Sequence, residues 1–454
     1  MRADLRLAWL LTQGSDRREW WRVVLTAVGA ALATGIGLAV AAIASIEGQY
    51  SVSFGAGLLD HPSDRQGVII ALLLLLVPVL GFLGQCARVG AVHRDRRLAA
   101  LRLAGATPRQ VRRIAALEAG LACLVGSAVA TVFSVLLLLR LWQHPEPLAW
   151  LGIALVAVAV PVLGAVVSAL SLRRVVASPL GWVRRVRPTQ GPGRAFLAVT
   201  VLLAVMAVVV GLAATLGDPL FVGRPLKFAL APLTVFALCL LIGVSAVWLA
   251  GWSSRRLGTA LAARAQRPAL LIAAERLRDD PWATARTHAA VLLVTVVGTA
   301  FVGIRAVLLQ VVENTEHLAE NRSYYTTGLD LSGAAILIAL ALTLSALAVG
   351  TAESLATRRR GLAAQAAAGV PQSVLGRALL LETALPLAPS LLLAGAGGTA
   401  IYVGWATMID DAVGSVPLMP VVVPVVVYAA CLLAAATSLP LLHRSVRPAE
   451  LRYV

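Results

Sequence analysis

The stretch Arg96-Arg97-Leu98-Ala99-Ala100-Leu101-Arg102-Leu103-Ala104-Gly105-Ala106-Thr107-Pro108-Arg109-Gln110-Val111-Arg112-Arg113, running on to Leu117-Glu118-Ala119, sits between two apolar runs, 67–87 and 115–139. Runs of about 20 apolar residues are long enough to cross about 30 Å of hydrocarbon as helix. An Arg-rich segment pinned between two of them is therefore an elbow at a membrane face. Within it Gly105 gives a tight turn, Thr107 caps a helix, and Pro108 takes the first helical position. Arg109, Arg112 and Arg113 fall on the polar side of that helix, while Val111 and Ile114 begin the next span.

The rest of the chain repeats this alternation. Of 454 residues 59% are hydrophobic and only 13% charged, against a charged share of about 25% in soluble globular domains. Mean hydropathy is +0.85. A water-soluble globule, a disordered chain and a disulfide-stapled secreted domain are excluded, and the runs are too long and too unbroken for barrel strands. The reading is an all-α polytopic membrane protein with ten spans: 23–45, 67–87, 115–139, 148–172, 195–216, 228–252, 288–312, 331–352, 379–403 and 419–442. Cys86, Cys123, Cys239 and Cys431 all fall in apolar stretches, as packing residues rather than a disulfide or zinc framework.

Net charge is +17, and 38 of the 39 basic residues are Arg; Lys227 is the one Lys. With the N-terminus inside, the inner segments hold 33 of them and the outer loops five: Arg65, Arg140, Arg224, Lys227 and Arg322. That bias orients the chain with both termini cytoplasmic. The charge faces the inner leaflet and a cytosolic partner, so nucleic acid is not needed to explain it.

A second elbow follows the first. Arg360-Gly361-Leu362-Ala363-Ala364 leads to Ala368-Gly369-Val370-Pro371 and on to Leu381-Glu382. Positions 360 and 96, 369 and 105, and 382 and 118 each differ by 264, with the proline displaced by one residue. The expectation is two parallel four-span repeats, 1–190 and 265–454, joined by a two-span hairpin at 191–264.

Residues 96–113 with Leu117-Glu118-Ala119 resemble the signature of the FtsX-like ABC permeases. The duplicated ten-span layout is most similar to the bacitracin-resistance type, and it also resembles macrolide-exporter and lipoprotein-release permeases. The bacitracin type carries a large extracellular domain between spans seven and eight, where this chain has only 313–330. The resemblance implies a non-catalytic permease subunit of the bacterial cell membrane. Its partner would be an ABC ATPase, two subunits per permease chain, which holds the ATP and Mg²⁺; this chain binds no cofactor. The implied work is export or extraction of an amphipathic cargo (antibiotic, peptide or lipid) by mechanical transmission. The alternative is a cargo-free transmitter regulating an envelope process. The coupling residues implied are Arg96, Arg97, Leu101, Arg102, Leu103, Gly105, Ala106, Thr107, Pro108, Arg109, Arg112 and Arg113, with Arg360, Gly369, Val370, Pro371 and Gln372 in the second elbow.

Glu118 and Glu382 lie a few residues into spans, where a carboxylate needs a partner; each is expected to pair with an Arg of its elbow or to bond a neighbouring helix. Arg305 has Ala41 as its counterpart and breaks the symmetry. It either snorkels to outer headgroups or contacts anionic cargo or lipid. Residues 2–13 and 268–278 read as interfacial amphipathic helices. Pro78, Pro161, Pro386, Pro389, Pro420 and Pro424 fall in or near spans. No Gly-x-x-x-x-Gly-Lys-Ser/Thr loop, metal motif or nucleophile motif is present.

Overall fold

The computed structural model describes residues 17–48, 57–86, 100–141, 147–171, 193–216, 226–314, 321–407 and 418–445, and these contain no strand. They fall into two compact units, Met1–Arg187 and Pro188–Val454. Nine stretches among them are long and apolar enough to cross a membrane. The tenth expected span, 195–216, is a helix of 23 residues, Arg194–Leu216, whose described apolar part is the shorter Phe196–Val209. The expected helix at 2–13 lies outside the described residues.

The first unit contains α1 (Arg17–Ala44), α2 (Pro62–Cys86), α3 (Pro108–Leu141) and α4 (Pro147–Ser171). Helix α1 packs on all three others, and α3 packs on α4. Apolar surface alone does not hold helices together in lipid, so close approach through small residues matters. Gly126 of α3 lies against α1, where a Cβ would collide with the carbonyl of Ala27. Between α1 and α2 the buried Arg65 gathers the chain: Nε donates to Leu59 O at 2.6 Å, Nη1 to Ile46 O at 2.7 Å, and Nη2 to Gly48 O at 2.6 Å and Asp60 O at 2.9 Å.

The second unit contains α5 (Arg194–Leu216), α6 (Leu226–Ala262), α7 (Pro268–Asp279), α8 (Pro281–Asn314), α9 (Arg322–Thr357), α10 (Arg359–Ala367), α11 (Gln372–Ala406), α12 (Val422–Ala436) and α13 (Leu439–Ser445). The hairpin α5–α6 packs within this unit, with α6 against α8 and α11. Four span pairs that touch here correspond to those of the first unit, α8 with α9, α11 and α12, and α11 with α12; α9 also packs on α12. Its core includes Val291, Leu292 and Val296 of α8, Leu347 of α9, Leu387 and Leu391 of α11 and Val427 of α12. Tyr402 lies over Gly303, and Gly398 lets α11 meet the α8 backbone at Val296 O.

Several helices outrun the hydrocarbon. Helix α8 has 34 residues, which at 1.5 Å each is about 51 Å, longer than the roughly 30 Å of a bilayer core. The last expected span, 419–442, is broken. A 3₁₀ turn at Met419–Val421 precedes α12, and Thr437 and Ser438 separate α12 from α13. Pro440 explains the second break: it has no N–H to give Ala436 O, and its ring would clash there. The other helical prolines, Pro78, Pro161, Pro386 and Pro389, sit inside continuous helices.

The helix expected at 268–278 forms as α7, but its apolar side is spent on protein. Ala273, Ala274 and Leu277 are buried, and α7 packs on α6 and α11. At Gly258 of α6 a Cβ would stand 2.9 Å from Arg278 N, so the two backbones touch.

Candidate functional site

Both elbows are the same turn. In the first, Ala104 N donates to Ala100 O at 2.9 Å, Gly105 N to Arg102 O at 3.1 Å, Ala106 N to Leu101 O at 3.0 Å and Val111 N to Thr107 O at 3.1 Å. In the second, Ala368 N donates to Ala364 O at 3.0 Å, Gly369 N to Ala366 O at 2.9 Å, Val370 N to Gln365 O at 3.1 Å and Leu375 N to Pro371 O at 3.3 Å. Every donor and acceptor recurs at the offset of 264. The pair of bonds around each glycine is a Schellman ending, which requires a left-handed residue just past the helix. Gly105 has φ 96° and Gly369 φ 89°. Only glycine occupies that conformation without steric cost.

The side chains fasten the two turns differently. In the first, Gln110 N donates to Thr107 Oγ1 at 3.3 Å and Thr107 N to Gln110 Oε1 at 2.8 Å. This is a capping box: two end-of-helix donors are satisfied reciprocally. The pattern Thr-x-x-Gln was readable in the sequence, although the sequence reading took only Thr107 from it. Leu101 and Ala106 pack on the buried Val111 and Ala115. Arg102 folds over the turn, Nη1 to Ala106 O at 3.1 Å. In the second elbow Pro371 stands at the cap and makes no side-chain bond. The turn is seated instead on a larger cluster of Leu355, Leu362, Leu375, Leu379 and Leu442, joined by Ile272, Ala366, Val370 and Leu439.

Leu101 and Leu103 part company. Leu101 faces inward, whereas Leu103 is 70% exposed, because two helical steps turn a side chain to the opposite side. Thr107, Pro108, Arg109 and Gln110 are also exposed, and Arg112 and Arg113 are half-buried. The outward side of elbow one thus presents the apolar Leu103 and the exposed Arg109. In elbow two the corresponding edge carries Ala367, with Arg360, Gly369, Pro371 and Gln372 also exposed and Val370 half-buried. Arg96 and Arg97 lie outside the described residues.

The two glutamates sit on matching faces. Val111, Ala115 and Glu118 follow one side of α3, and Leu375, Leu379 and Glu382 one side of α11. Glu118 is buried. Glu382 accepts from Arg358 Nη1 at 2.8 Å on Oε1 and from Arg276 Nη1 at 3.3 Å on Oε2. Arg358 belongs to the elbow; Arg276 belongs to α7, and nothing in the sequence pattern pointed to it. Arg305 Nη2 meets Asp330 Oδ1 of α9 at 3.3 Å in an exposed pair, a partner that the sequence pattern did not indicate.

Residues 68–179 match the family described as FtsX-like permease C-terminal. The match spans α2, the whole first elbow, α3 and α4. No curated protein matches the chain. Residues 68–179 therefore carry an FtsX-like permease segment, and with the long apolar helices among its described residues the chain is a multi-pass protein of the bacterial cell membrane.

Proposed function

We propose that the chain is the permease subunit of a bacterial ABC exporter and that its two elbows are the sockets through which a separate ATPase moves the spans. The observation that carries this reading is the identical backbone turn at Gly105 and Gly369, the first within the FtsX-like segment. A rigid, capped turn that leads directly into a span transmits a push without absorbing it. The exposed Leu103 suits an interface in which a few apolar anchors carry most of the energy. The two four-span units are read as parallel repeats, with both termini and both elbows in the cytoplasm, on the strength of the Arg distribution. One chain then supplies both sockets and binds two ATPase subunits. The cargo is an amphipathic antibiotic, peptide or lipid.

The decisive experiment is ATPase stimulation in nanodiscs by the purified chain, with and without candidate cargo. Leu103→Ala should lower stimulation about tenfold, the loss of one anchor, and more than Gln365→Ala does; equal defects would defeat a dominant first elbow. Stimulation that no cargo changes would favour a cargo-free transmitter over an exporter. Cysteines placed at Ser51 and Asp411 should react with an impermeant thiol reagent in whole cells, and one at Gln110 should not. A native mass with two copies of this chain per two ATPases would remove the stoichiometry.

A further inference from the structure

Helix α7 reaches the second elbow through two residues on one face. Ile272 joins the cluster of Leu355, Leu362, Leu375 and Leu379. Arg276 follows one turn later, and a spacing of four keeps both side chains on the same side. Its guanidinium donates to Oε2 of Glu382 at 3.3 Å, and Arg358, at the junction of α9 and α10, donates to Oε1 at 2.8 Å and to the shared Oε2 at 3.2 Å. The side chains of Arg276 and Glu382 are each only 16% exposed. Without Arg276, Glu382 would keep Arg358 but lose its link to α7.

The other end of α7 runs almost directly into α8. Asp279 ends α7 and Pro281 begins α8. Asp280, between them, accepts from Ala283 N at 3.0 Å on Oδ1, and Arg286 Nη2 lies 3.6 Å from its Oδ2. A joint of one residue spans about 3.8 Å between neighbouring Cα atoms, too little slack to isolate the two helices. Helix α8 contributes Ala285, Val291, Leu292, Val296 and Ala300 to the core of the second unit.

We infer that Arg276 is a positioning residue for coupling: with Arg358 it clamps Glu382 and ties α7 to the second elbow, so that displacement of that elbow is delivered to the start of α8 as well as to α11. This rests on the coupling role proposed above for the elbows. At the position corresponding to Arg276 the first repeat has Thr12 in place of an arginine.

The test uses Arg276→Ala and Arg276→Lys in the full chain, reconstituted in nanodiscs with the ABC ATPase that co-purifies from its native membrane. Arg276→Ala should cut maximal ATPase stimulation about tenfold, with the ATPase concentration for half-maximal effect unchanged, and Arg276→Lys should keep most of it. Amide exchange across 281–290 should quicken in the Ala variant, with or without the ATPase. Full stimulation by Arg276→Ala, a loss appearing only as weaker ATPase binding, or equal damage from Lys and Ala would overturn the inference. A wild-type chain that no ABC ATPase stimulates would defeat the coupling reading itself. The exchange measurement then still decides the tie: faster exchange across 281–290 upholds it, and unchanged exchange removes it. If the Ala variant fails to fold, Arg276→Gln carries the same comparison.

Discussion

Gly105 and Gly369 turn the chain in the same left-handed conformation, yet the residues that secure them differ in kind. The first elbow is fastened by neighbours in sequence: Thr107 and Gln110 close a capping box, and Arg102 bends back over the turn. The second has no such cap and is held by tertiary contacts, a leucine cluster drawn from four helices and the Arg276–Glu382–Arg358 bridge. A local fastening leaves the outward edge unencumbered, and there Leu103 stands exposed. A tertiary fastening binds the turn into the body of its unit. The lesson is that one backbone motif can serve as a presented surface in one place and as a strut in another.

The largest effect that could break this comparison comes from the cluster. Leu375→Ala should cost about 3 kcal/mol, as deletions of buried leucines do, whereas Val111→Ala, its counterpart, should cost about 1.5 kcal/mol from the two methyl groups removed. Thermal unfolding of the purified variants in one detergent measures both, and equal losses would mean the second elbow is no more dependent on its core. The glycines come next. Both have open space where a Cβ would go, so the cost of Gly105→Ala and of Gly369→Ala is the backbone term alone, about 1–2 kcal/mol each. Unequal values in the same assay would show that the turns are not equivalent. Thr107→Ala should lose about 1 kcal/mol with the cap, and Pro371→Ala should stay within about 0.5 kcal/mol. Helix content followed by circular dichroism on heating distinguishes the two. The smallest effect belongs to Arg305→Ala, which gives up an exposed ion pair with Asp330 worth about 0–1 kcal/mol; a loss well above that in the same assay would mean that the pair holds α8 and α9 together more strongly than an exposed pair should.

Much of this was legible in the sequence because hydropathy over about 20 residues reports on membrane crossing without any tertiary information. Gly105, Thr107 and Pro108 declared a helix start for the same reason: caps are local chemistry. Gln110 was equally local and was overlooked. Other features could not be read. Arg276 and Glu382 are 106 residues apart, and no periodicity links them. Residues 268–278 carried an amphipathic pattern, but a pattern gives an apolar side without saying whether lipid or protein covers it; here α6 and α11 do. Arg305 likewise found Asp330 only because α8 and α9 pack side by side. The division of Leu101 from Leu103 was readable from helical geometry, since residues two apart face different ways.

The Arg65 cage also bears on how the chain is threaded into the membrane. In the proposed orientation Arg65 is one of the few cations carried to the outer side during insertion, a transfer that works against the usual retention of basic residues. Once there, its guanidinium is held by the carbonyls of Ile46, Gly48, Leu59 and Asp60. Return would require stripping those bonds and drawing a charge back through hydrocarbon. Because all four carbonyls come from residues 46–60, the corner between α1 and α2 is closed by its own short stretch of chain and needs nothing from α3 or α4.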